Sequence, residues 1–99
     1  MNNSNTTILK ELKALLIRIH NSFTKSEAKL FIGQFRLKSA KLDILDPSLE
    51  RKLKQAIYYA EEAFRNPSEK LRWIHHSRNA FSAFIREMMA NKEWRIVLL

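Results

Sequence analysis

Cysteine is absent from this 99-residue chain, glycine occurs once and proline twice. Without cysteine there is no disulfide framework and no thiolate chemistry. A single glycine excludes a phosphate-cradling Gly-rich loop, and so few breakers favour long helices over many tight β-turns. No apolar run approaches the roughly 20 residues that a membrane-spanning helix needs. The opening Met1-Asn2-Asn3-Ser4-Asn5 lacks the basic n-region and apolar core of a signal peptide. Carboxylates are scarce as well: ten Asp and Glu stand against 18 Lys and Arg, for a formal net charge of +8. These features predict a cytosolic protein whose partners are anionic: nucleic acid, an acidic protein face, or the inner surface of a membrane.

What is present is helical periodicity. Hydrophobic residues make up 45% of the chain, which places it among globular rather than disordered sequences. Thr6 or Thr7 can cap a first helix, in which Ile8, Leu9, Leu12, Leu15, Leu16 and Ile19 form one apolar stripe. Asn21 and Ser22 end it. Thr24-Lys25-Ser26-Glu27 is a capping box for a second helix that buries Ala28, Phe31, Ile32, Phe35 and Leu42. Lys25, Lys29 and Arg36 fall within about 40° of one another on its wheel and make a basic stripe beside the core face. Leu30 and Leu37 point away from the core stripe, towards either another helix or a partner.

Asp46-Pro47 is a strong helix start: aspartate caps the orphan amides and proline fits the first turn without losing a bond. Leu49, Leu53, Ala56, Ile57, Ala60 and Phe64 form the third stripe, and Ala56, Ala60 and Ala63 permit close approach of a neighbour. Asn66-Pro67-Ser68-Glu69 repeats the device, so the third and fourth helices should meet at a tight reversal. The last helix carries Leu71, Ile74, Phe81, Ile85 and Met88, flanked by Trp73, Ala80 and Phe84. The expected fold is all-α, an antiparallel four-helix bundle forming one domain over residues 1–99. Residues 1–6 are expected to be disordered, and residues 91–99 to form an apolar C-terminal segment, since Trp94-Arg95-Ile96-Val97-Leu98-Leu99 is unusually apolar for a terminus.

The residues that could carry chemistry have plainer roles. His75 and His76 are adjacent, so on a helix they project about 100° apart and cannot easily share a metal. His20 closes the first helix, where a charged imidazole would suit the dipole. Arg72 stands too close to His75 and His76 for the Arg–His motif of helical nucleases. Glu27, Glu50 and Glu69 sit at helix starts, and Glu61-Glu62 can pair with Arg65. No pair of carboxylates and no nucleophile with an oriented base can be assembled. The sequence therefore predicts a binding protein and no enzyme, with no catalytic residue, no cofactor and no metal.

Nucleic-acid binding has the net charge, the Lys25/Lys29/Arg36 stripe, and Arg51, Lys52 and Lys54 in its favour. Against it, the cations are spread over every helix, and no helix-turn-helix or zinc module appears. An adaptor or oligomer subunit is a third reading, with Leu30, Leu37 and the terminus as its adhesive surfaces.

The stretch Lys41-Leu42-Asp43-Ile44-Leu45-Asp46-Pro47, running into a helix with Leu49, Leu53 and the pair Tyr58-Tyr59, resembles the class IIa (pediocin-like) bacteriocin immunity proteins of the enterocin A immunity family. Small size, excess basic charge, absence of cysteine and a four-helix pattern look like that family too. The resemblance implies a cytosolic protein that protects its host from a pore-forming bacteriocin, acting from inside at the mannose phosphotransferase permease that serves as receptor. It also implies that specificity lies in the C-terminal half. The apolar terminus departs from the charged tail such a role suggests, yet with a basic body it would suit work at an anionic membrane face. The residues expected to touch a partner are Trp94, Arg95 and Ile96, then Lys25, Lys29 and Arg36.

Overall fold

Four amphipathic helices cannot hide their apolar stripes singly, and here they hide them against one another. The computed structural model describes residues 3–42 and 46–90, with side chains from residue 6 onward. It contains α1 (Asn3–His20), α2 (Lys25–Ser39), α3 (Pro47–Arg65) and α4 (Lys70–Ala90), with one 3-10 turn at Pro67–Glu69 before α4. The described residues form an all-α helical bundle and include no strand.

The helices pair as two hairpins. Along α3 and α4, Lys52 pairs with Glu87, Ser77 reaches the Ala56 carbonyl, Tyr59 stacks on Trp73, and Lys70 sits over the Phe64 ring. Early residues of one helix thus meet late residues of the other. In the same opposed order, Glu11 of α1 pairs with Lys38 of α2, and Arg18 lies over the Phe31 ring. Phe35 meets Phe81 edge-on at 6.5 Å and joins the two hairpins. Leu9, Leu12, Ile19, Ala56, Ala60, Phe84 and Met88 are all at 0% exposure, and Ala28 and Phe35 of α2 at 1%, which places the core between all four helices.

Two helix starts follow from local chemistry as expected. Thr24 Oγ1 accepts from the Glu27 amide at 3.1 Å, and Asp46 Oδ1 accepts from the Ser48 amide at 2.8 Å. Others differ. α1 already begins at Asn3, ahead of the expected Thr6/Thr7 cap, so residues 3–6 of the stretch expected to be disordered are helical. Once Ile8 and Leu9 are fixed by the core, extending the helix by a turn costs little. Asn66 does not cap α4: its side-chain amide donates to the Glu62 carbonyl at 3.0 Å and closes the end of α3 instead. Leu42 is buried, but beyond the end of α2.

The inward face of α4 is Ile74, Ser77, Phe81, Phe84 and Met88. Leu71, expected in the stripe, is 75% exposed, whereas Phe84, expected at its flank, is fully buried. Ile74, Phe81 and Met88 face inward as expected, and Ser77 takes a core position among them with its hydroxyl satisfied by the Ala56 carbonyl.

Candidate functional site

α2 shows how the candidate surface arises. Its inner face is Ala28, Ile32 and Phe35, all buried. On one flank Lys38 pairs with Glu11 of α1, and on the other Arg36 pairs with Glu61 of α3. Leu30 and Leu37 are only about 20° apart on the wheel and point between these flanks, away from the core. They are 61% and 72% exposed, so neither is buried against another described helix, contrary to one of the two expectations for them. Gly33, the chain's one glycine, lies between them; a Cβ built on it would meet nothing within 4 Å.

The basic stripe of α2 divides. Lys25, Lys29 and Arg36 are all exposed, but Arg36 is held by Glu61, whose carboxylate also lies 3.9 Å from Arg65. Lys25 and Lys29 have no ion-pair partner among the described residues. Trp94, Arg95 and Ile96, the other expected contact residues, lie outside the described residues, as does the rest of the 91–99 segment.

Most carboxylates are engaged. Glu50 pairs with Lys54 at 3.0 Å, Glu62 with Arg65, Glu69 with Arg72 at 3.6 Å, and Glu87 with Lys52. The Lys52 ammonium, and then the Ser48 hydroxyl, hold the Glu87 carboxyl below its usual range. Where α2 and α3 diverge, a groove of about 590 Å³ has Phe35, Leu42, Leu53 and Ile57 among its apolar walls, with Tyr58 and the Arg36–Glu61 pair also lining it.

Two buried polar contacts escaped sequence reasoning. His20 is 6% exposed, and its Nε2 lies 2.9 Å from Ser77 Oγ, which itself donates to the Ala56 carbonyl at 2.7 Å. The serine's one proton is thus spent, so Nε2–H is the donor in the first bond. Burial, with Arg78 nearby, lowers the His20 pKa to about 4, so the expected charged imidazole at the end of α1 is a neutral one. The reason is that helix-dipole stabilisation is small beside the cost of desolvating a cation. Only the unusual place of serine in an apolar helix stripe could have signalled this link between α1, α3 and α4.

On the outer seam of α3 and α4, Tyr59 stacks on Trp73 with centroids 6.0 Å apart, and His76 packs against both rings at 5.5 and 5.7 Å. His76 therefore packs on these rings, although it is exposed like His75 beside it. Among the described residues no group of three metal-ligating side chains converges, and no helix is long and apolar enough to cross a membrane.

No protein-family description, curated protein or solved structure matches this chain.

Proposed function

We propose that the chain is a non-catalytic binding protein that engages a macromolecular partner through the outer face of α2. The observation that carries this reading is the exposure of Leu30 and Leu37, at 61% and 72%, on a helix whose inner face and both flanks are already used. A contact that removes two leucines from water is worth several kcal/mol in area terms, on the order of 2 kcal/mol each before the costs of association. Neighbouring Lys25 and Lys29 favour an anionic partner surface.

Within that class, the specific reading is a cytosolic immunity protein acting at the membrane permease that a class IIa bacteriocin uses as receptor. The helical-bundle architecture supports it, as does the capped Asp46-Pro47 start of a helix carrying Leu49, Leu53 and Tyr58-Tyr59. The test is expression in a strain sensitive to class IIa bacteriocins. The native chain should protect, and the Leu30→Gln/Leu37→Gln variant should protect less while remaining folded. Unchanged sensitivity to a panel of these bacteriocins ends the immunity reading.

Nucleic-acid binding is the alternative. The ion pairs that occupy Arg36, Lys52, Lys54, Arg65 and Arg72 reduce its support, because those cations are partly neutralised within the molecule. Retardation of DNA or RNA that weakens steeply with salt would favour it over the immunity reading.

A further inference from the structure

The link between α1 and α2, Asn21-Ser22-Phe23-Thr24, holds an aromatic ring in solvent. Phe23 is 95% exposed, the highest value of any large hydrophobic side chain described. Slack backbone does not account for it, because both chain neighbours are fixed. Ser22 is 1% exposed: its amide donates to the Ile19 carbonyl at 3.1 Å and its hydroxyl to the Arg18 carbonyl at 2.8 Å. Its own carbonyl accepts from the Lys70 ammonium at 3.2 Å. On the other side, Thr24 is committed to capping α2. The ring is therefore presented outward by a turn anchored before and after it.

The Lys70–Ser22 bond also brings the start of α4 to this end of the bundle. There Leu71 is 75% exposed, and the first turns of α2 add Lys25 and Lys29. Glu62 and Glu69, carboxylates at the same end, are taken up by Arg65 and Arg72. Glu27 is the remaining described carboxylate of this end, in the first turn of α2. The result is two protruding apolar side chains beside ammonium groups without carboxylate partners among the described residues.

We propose that this end of the bundle is an anchor for an anionic lipid bilayer, with Phe23 and Leu71 entering the headgroup–acyl boundary and Lys25 and Lys29 meeting lipid phosphates. Apolar side chains backed by cations are the chemistry of interfacial attachment, and the charge of a bilayer's anionic headgroups is opposite to that of this end. A second copy of the chain would set like charges against each other. A nucleic acid would use the lysines and could stack on Phe23, but it would leave the aliphatic Leu71 without a role. The anchor is separate from the outer face of α2 and stands or falls independently of the function proposed above.

Co-sedimentation of the full chain with vesicles tests it, comparing phosphatidylglycerol–phosphatidylcholine mixtures with phosphatidylcholine alone. Binding is expected to the anionic vesicles and to weaken as salt rises. Phe23→Ser, and separately Lys25→Glu/Lys29→Glu, should each weaken it about tenfold or more, with unfolding midpoints near that of the native chain. Leu37→Gln, away from this end, should leave it unchanged. In the Phe23→Trp variant, vesicles with brominated acyl chains should quench fluorescence beyond the quenching seen in the native chain. The proposal is overturned by failure to bind anionic vesicles at low salt, by full binding of Phe23→Ser, or by absence of the added quenching. Phe23-dependent retardation of an oligonucleotide without vesicle binding would likewise overturn it, assigning the surface to nucleic acid.

Discussion

The α3–α4 hairpin and the α1–α2 hairpin treat their outward surfaces differently. In the first, Ala56, Ala60 and Ala63 are at 0% exposure and let the helices approach closely, while the outer seam is covered by Tyr59, Trp73 and His76. Lys52–Glu87 ties the end opposite the turn. In the second, the seam is crossed by Glu11–Lys38 and by Arg18 over Phe31, but Leu30, Leu37 and Phe23 remain in solvent. The difference is one of degree: α3–α4 leaves Tyr58, Leu71 and Met89 half or more exposed, whereas α1–α2 leaves Ile17, Phe23, Leu30 and Leu37, with Leu30 and Leu37 side by side on one helix face. Under the proposed function, α3–α4 serves mainly as scaffold and α1–α2 carries most of the working surface, with Leu71 of α4 beside it at one end.

The comparison breaks most readily in the core. Phe84→Ala, at a fully buried α4 position, should destabilise the fold by about 3–5 kcal/mol, measured by urea unfolding. Phe23→Ala, which removes the same ring from the α1–α2 turn, should change stability by less than about 0.5 kcal/mol. Similar losses at the two positions would mean that Phe23 is packed and that the working-surface reading is wrong.

The link between the hairpins can be probed by pH. The folded chain holds His20 neutral down to about pH 4, against 6.5 for an ordinary histidine. Between those values the unfolded chain binds a proton that the folded chain does not, so stability should fall as pH drops through this window. The loss should be on the order of 2–3 kcal/mol by pH 4. Carboxylates titrate nearby, so the diagnostic quantity is the difference between the native chain and His20→Gln. The variant should show a shallower decline between about pH 6.5 and 4, and equal slopes would remove His20 from the account.

What was legible in the sequence was local. The Thr24 and Asp46 caps need only two or three neighbouring residues, and both side chains accept as read, although of the Thr24–Glu27 box only the threonine half forms. The α3 stripe was legible for the same reason: Leu49, Leu53, Ala56, Ile57 and Ala60 recur at helical steps with no polar interruption. α4 was legible in part: Ile74, Phe81 and Met88 point inward as read, but Ser77 breaks the stripe, and the apolar count then favours Leu71 over Ser77 and Phe84. Asn66-Pro67 has the composition of a helix start, but the same side chain can close the preceding helix, and it does. The candidate surface was half legible. Spacing put Leu30 and Leu37 off the core stripe, but only the neighbours on both flanks of α2 decide that they stay mostly exposed among the described residues. The Arg36–Glu61 pair spans 25 positions, and no local rule could have removed Arg36 from the basic stripe. Phe23 was passed over in the sequence, where its place between a helix end and a cap was the one available signal.

Gly33 gives a smaller effect of opposite sign. It lies in mid-helix, where no positive φ requires it and where a Cβ would meet nothing within 4 Å. Gly33→Ala should therefore stabilise the chain by about 0.5–1 kcal/mol, seen as a higher melting temperature. If a partner's backbone packs closely between Leu30 and Leu37, the same methyl group should weaken the contact. Higher stability with lower bacteriocin protection would sharpen the distinction between fold and surface; higher stability with full protection would show that no close approach occurs there.

The smallest expected effect on stability bears most directly on the comparison. Leu30→Gln/Leu37→Gln exchanges two exposed leucines for residues of similar helix propensity, so the unfolding free energy should move by no more than about 0.5 kcal/mol. The solution mass at high protein concentration distinguishes two uses of the face. If native chains associate and the variant does not, the occupant is a second copy, and α2 forms a symmetric contact despite its flanking lysines. If both remain monomeric and only the native chain protects cells, the face is reserved for a different partner. A marked loss of stability would instead show that these leucines support the bundle, and the two hairpins would then differ in exposure but not in role.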